Sequence, residues 1–178
     1  MTSVSLGWKY ACLTLLIALS LVSGAVAEQP FVQRGGVELK LAGAQAIVAA
    51  AIAKAQEMKL AVNIAVVDDG GHLLAFARMD GARPGSATTA LTKAISAATM
   101  RRATGPVDPP GAAVDAHLNR SLQSAAAASG GKITTLFGGV NVVVDGQTIG
   151  AVGVGGAKGE QDAEIAQAGI AALMAGVK

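Results

Sequence analysis

Apolar and polar positions alternate along this chain in a way that predicts helices and antiparallel strands in turn. From Leu39 to Met58 the apolar residues Leu41, Ala44, Val48, Ala51, Ile52, Ala55 and Met58 recur at helical spacing. Much of the remainder is Ala, the strongest helix former, so the helix carries a shallow, small-residue face. Val62 to Val67 is a short apolar run, followed by Asp68-Asp69-Gly70-Gly71 and a second run from His72 to Met79. Glycine supplies the positive φ that tight turns need, so these runs form a hairpin. After a loop over residues 80–85, Ser86 or Thr88 can cap a helix that ends near Met100. Its apolar stripe is Leu91, Ala94, Ile95 and Ala98, with Thr89, Lys93 and Ser96 off the stripe.

Pro106, Pro109 and Pro110 forbid a continuous helix between Thr104 and Gly111. A further helix runs from Ala112 to Ala127 on Val114, Leu118 and Leu122, and Ser129-Gly130-Gly131 ends it. Val140 to Val144, the turn Asp145-Gly146, and Thr148 to Val154 predict a second hairpin. Glycine at alternate positions of the return strand leaves one face bare, the mark of close packing against a ligand or a backbone. Glu160 to Val177 forms a last helix, with Ile165, Ala168, Ala172 and Leu173 inward. Hairpin-connected strands interleaved with helices give an α+β fold and argue against a doubly wound sheet.

The first residues change the picture of where the chain works. Lys9, the apolar run from Ala11 to Val22 and the small-x-small site Ala25-Val26-Ala27 have the order of a secretory signal. The run is shorter than the ~20 residues that a spanning helix needs. We therefore expect residues 1–27 to be a cleaved signal and residues 28–178 to form a single domain, exported to a periplasmic or extracellular space. The single cysteine, Cys12, lies inside that signal. The domain beyond it has no thiol for disulfides, metal sites or nucleophilic catalysis.

Composition then narrows the partners. Of the 178 residues, 52% are hydrophobic and 15% charged, too apolar and too weakly charged for disorder. The formal net charge is only +2, and aromatics make up 3% of the chain, so neither an electrostatic nor a stacking platform for nucleic acid is present.

Few residues carry chemistry. Lys93 is a lone cation beside a Gly-rich region, able to hold an anion, to act as a Schiff-base amine if buried, or to snorkel at the surface. Gly153, Gly155 and Gly156 precede the last helix, where successive N–H groups can form an anion-binding turn. Glu160, Asp162 and Glu164 on that helix's first turn complement its macrodipole. No nucleophile–base pair and no zinc-ligand spacing is visible, so no catalytic residue is assigned, and the chain reads more as a binding protein than as an enzyme.

Several segments together resemble the GlcG/HbpS family. They are Ala65-Val66-Val67-Asp68, Gly70-Gly71-His72-Leu73, Arg78-Met79-Asp80-Gly81-Ala82 and Lys93-Ala94 in the first half. Phe137-Gly138-Gly139-Val140, Gly150 to Val154 with Gly156, and Asp162 with Ile165-Ala166 carry the second half. The resemblance spans Leu39 to the end. It implies a profilin-like layered domain, an antiparallel sheet of about five strands with helices packed on it. It implies a homo-oligomer, from dimers to octamers, and haem as the best-attested cofactor, in a scavenging, storage or redox-sensing role. One alternative is a protein that binds, or an enzyme that acts on, a small carboxylate such as a 2-hydroxy acid, and another is a ligand-free interaction module of a membrane sensor. Thr104 matches a threonine that contacts iron in a haem-binding member, although it could equally turn the chain before Pro106. Arg101 and Arg102 could pair with propionates or simply close a helix C-terminus. His72 and His117 are the imidazoles available to iron, and Met79 and Met100 the soft ligands.

Overall fold

The computed structural model describes residues 32–33, 36–105 and 115–177; the expected signal at 1–27 lies outside them. A two-residue pair, β1 (Val32–Gln33) and β2 (Glu38–Leu39), leads into α1 (Leu41–Glu57). The hairpin β3 (Asn63–Asp68) and β4 (Leu73–Arg78) follows, then α2 (Ser86–Met100) and α3 (Ala116–Ala128). The second hairpin is β5 (Gly139–Val144) and β6 (Gln147–Gly155), and α4 (Gly159–Gly176) closes the chain. The fold is α+β, and its main sheet has four antiparallel strands in the order β4-β3-β6-β5. The short β1–β2 pair stands apart from that sheet.

The two faces of the sheet differ in bulk, and that difference sets the layers. Ile64, Val66, Val142, Val152 and Val154 point to one side and form the main core with Ile47 and Ala51 of α1 and Ile165 and Leu173 of α4. The opposite side carries Ala65, Val67 and Ala151, met by Ala90, Ala94, Ala97 and Ala98 of α2. Alternation along β3 and β6 produces both faces, since successive side chains of a strand point oppositely. Small residues on the second face let α2 approach closely. A Cβ on Gly155 would stand 2.8 Å from the Ser86 carbonyl, and one on Gly153 would collide with the carbonyl of Ala90 and the amide of Ala94.

This contact corrects the expected α2 stripe. Lys93 and Ser96 are buried, whereas Leu91 and Ile95 are only partly so. The bare face of β6 seats the helix along Ala90, Lys93, Ala94 and Ala97, so the larger side chains fall at the margin. No side chain caps α2: Gly85 takes that position, and neither Ser86 nor Thr88 does. On α3 the expected stripe shrinks to Leu122, since Leu118 is exposed and Val114 lies outside the described residues. Its cap is Asp115, which accepts from the Leu118 amide at 2.8 Å. On α4, Ala172 is exposed, and Gly169 and Ala166 join Ile165 and Leu173 inside.

Candidate functional site

The site grows from the place where α2, the end of β6 and the start of α4 converge. Lys93 extends from α2 past the Gly-rich strand and donates to the Val154 carbonyl at 2.8 Å. It also donates to Asp162 Oδ2 at 2.8 Å, and the two side chains are 6% and 2% exposed. The second Asp162 oxygen accepts from the Ala157 amide at 3.1 Å, which ties the β6–α4 connection to the same carboxylate. Asp162 is therefore a buried partner of Lys93 and no mere complement to the helix dipole. Gly138 makes the approach possible. Its φ is +112°, and a Cβ there would lie 2.6 Å from Asp162 Cβ and 3.0 Å from Lys93 Nζ.

Two hydroxyls hold the segment that walls this site. Ser96 Oγ donates to the Thr134 carbonyl at 3.2 Å and accepts from the Thr134 amide at 2.9 Å. Thr104 Oγ1 donates to the Leu136 carbonyl at 2.6 Å and accepts from the Gly139 amide at 2.8 Å. Leu136 and Phe137 between them are presented outward. Phe137 is fitted against two glycines, because a Cβ on Gly105 would meet its ring at 2.7 Å and one on Gly159 its Cβ at 2.5 Å. The result is an open cavity of about 380 Å³, walled by Leu136, Phe137, Gly156 and Ala157. Arg83, Thr89, Lys93, Glu160 and Asp162 supply its polar groups. Asn63, wholly buried, donates to the Arg83 carbonyl at 3.1 Å and steadies that edge.

Of the residues singled out from sequence as ligand-binding, only Lys93 and Gly156 reach this cavity. Gly153 and Gly155 do not form an anion-binding turn. They are strand residues of β6, Gly153 paired on both sides and Gly155 with Asn63, and both are pressed on α2. Arg101 and Arg102 are exposed at the end of α2, where Arg101 takes a left-handed φ of 52°. Arg102 and Met100 border a small hollow of about 10 Å³ beside Thr104, room for about one water. Met79 is half-buried against the main core. His117 is exposed on α3.

His72 is also exposed, yet it is oriented. Its Nδ1 lies 3.1 Å from Asp68 Oδ2, and its backbone N–H donates to Asp68 Oδ1 at 2.8 Å. Metal-bound histidines show the same arrangement, one ring nitrogen on a carboxylate and the other on the metal. Among the described residues no three His, Cys, Asp or Glu side chains gather to hold a metal ion, and no helix is long and apolar enough to cross a membrane.

The family model described as haem degrading protein HbpS-like matches residues 39–171. The chain belongs to the HbpS-like family. GlcG of Escherichia coli (strain K12) is 45% identical over 111 residues, 62% of this chain and 76% of GlcG. A solved PduOC:haem complex is 34% identical, with a TM-score of 0.61, over 76% of this chain and 95% of that one. HbpS of Streptomyces reticuli, solved as a double mutant, is 31% identical with a TM-score of 0.61, over 80% of this chain and 94% of that one. HbpS-like structures thus share the layered α+β fold found here.

Arg83, Phe137 and Asp162 escaped the sequence reading as site residues. Asp162 had one signal. Ala90, Lys93, Ala94 and Ala97 sit at the i, i+3, i+4 and i+7 positions of a buried helical face. A lysine on such a face calls for a buried carboxylate, and the Asp162–Ile165–Ala166 segment offers two acidic residues, Asp162 and Glu164, of which the structure buries Asp162.

Proposed function

We propose that this protein is an exported haem-binding protein that works as a homo-oligomer, in scavenging, storing or sensing haem. The observation that carries the reading is the haem held by PduOC, which shares 34% of its sequence with this chain over 95% of PduOC's length.

The donor groups on this chain narrow where haem would sit. The cavity beside Lys93 offers no imidazole, thiolate or thioether to iron. Thr104 already donates and accepts through its one hydroxyl. His72 fits best, with Asp68 on Nδ1 and Nε2 left for iron. Bound there, haem supplies a redox-active iron. His72 would ligate it, and Asp68 would hold the ring's orientation. Exposed Leu73 and Phe76 on the edge strand β4 offer apolar surface for a macrocycle or a second subunit.

Haem titration of residues 28–178, followed by absorbance with light scattering in parallel, tests this. A saturable Soret shift that His72→Ala removes, and that His117→Ala and Thr104→Ala leave, supports the reading. A titration no different from that of an unrelated protein rejects haem, and retention in His72→Ala rejects the ligand.

A further inference from the structure

We propose that the cavity beside Lys93 is a separate site for a small organic monocarboxylate. Its carboxylate would rest on Arg83 and Lys93, and its apolar body on Phe137. The proposal does not depend on haem binding.

The charges in the wall lead there. A lysine ammonium has three N–H donors. Val154 and Asp162 take two of them, which leaves the third on a side chain that lines the cavity. Asp162 cannot take the ligand's place, since its oxygens serve Lys93 and the Ala157 amide. Lys93 and Asp162 cancel in charge. Arg83 does not. Its Nε donates to Ser86 Oγ at 2.9 Å, no carboxylate among the described residues pairs with it, and both terminal amino groups remain. Arginine presents such groups as a fork that matches a carboxylate.

Size and polarity set the rest of the ligand. At about 380 Å³ the cavity lies at the small end of ligand pockets, which span roughly 300–1,000 Å³. Phe137 and Leu136 provide an apolar wall, and the close fit of Phe137 against Gly105 and Gly159 fixes where its ring stands. Glu160 at the rim opposes a second negative charge, which favours a monoanion over a dianion.

Benzoate and its uncharged isostere benzamide are suitable probes, titrated into the full domain by calorimetry. Benzoate should bind saturably and benzamide about tenfold more weakly, the loss of charge-assisted hydrogen bonds. Arg83→Gln, an exposed change that leaves the core intact, should weaken benzoate about tenfold, and Glu160→Gln should tighten it by roughly twofold. The paired change Lys93→Met with Asp162→Leu removes the buried donor without orphaning a charge, and should also weaken benzoate. No binding, equal binding of benzoate and benzamide, or an unaltered Arg83→Gln would overturn the proposal. A carboxylate could also come from a haem propionate. Haem that displaces benzoate would assign the cavity to that source and overturn a separate acid site, whereas simultaneous binding supports it.

Discussion

Lys93 of α2 and Asp162 of α4 meet at 2.8 Å beyond the end of β6, both almost entirely out of solvent. The pair joins the helix on one face of the sheet to a helix on the other. Removing one member leaves a buried charge alone, which costs about 3–5 kcal/mol, whereas exchanging both for apolar residues is often neutral or stabilising. Lys93→Met and Asp162→Asn should each lower stability in urea unfolding by that amount. Lys93→Met with Asp162→Leu should recover most of the loss. A double variant no better than the worse single one would show that the pair contributes more than mutual compensation.

Thr104 bridges the Leu136 carbonyl and the Gly139 amide through one hydroxyl. Thr104→Val keeps the shape and leaves two backbone groups short of a partner, at a cost of about 1–3 kcal/mol. Thr104→Ser should retain most of the stability. This role also separates two readings of the residue: as a bridge, Thr104→Val lowers the denaturation midpoint and leaves any haem spectrum unaltered; as an iron ligand, it alters the spectrum.

The hairpins and the four helices were legible because their signals are local. Asp145-Gly146 and the alternating strands around it specify β5 and β6 with little help from the rest of the chain. The bare glycine face of β6 was legible too, and α2 fills it. The seating of α2 was not, because hydropathy ranks Leu91 and Ile95 above Lys93, whereas clearance over Gly153 and Gly155 admits only the thinner face. The cavity was illegible for a related reason. Arg83, Phe137 and Asp162 lie far apart in sequence, and only the packing of their segments around the end of β6 brings them together.

Gly153 should tolerate no side chain. Its Cβ position is taken by the Ala90 carbonyl and the Ala94 amide, and β6 is held by partners on both sides. Gly153→Ala must force α2 off the sheet, and overpacking of this kind costs typically about 1–3 kcal/mol. Gly85 is the contrast. Nothing lies within 4 Å of its Cβ position, and its φ is −62°. Gly85→Ala should raise stability by about 0.4–1 kcal/mol through the unfolded chain. Thermal unfolding of the two variants should therefore shift in opposite directions.

Lys54 connects α1 to α4 at the surface. Its Nζ lies 3.1 Å from Glu164 on α4 and 3.4 Å from Glu57 on its own helix. Hydrogen bonds to Glu164, then to Glu57, hold its pKa above the usual 10.5. A group whose pKa is raised on folding stabilises the native state fully below its unfolded value. The contribution fades as pH climbs through the native one. Wild-type protein should therefore be more stable than Lys54→Met at neutral pH. The difference should hold up to about pH 10 and shrink above it. Salt at about 1 M should also shrink it, because the pair is exposed enough to be screened. Urea unfolding of both proteins across this range checks the sign: a difference that grows with pH would mean that Lys54 acts through packing of its aliphatic stem and not through its charge.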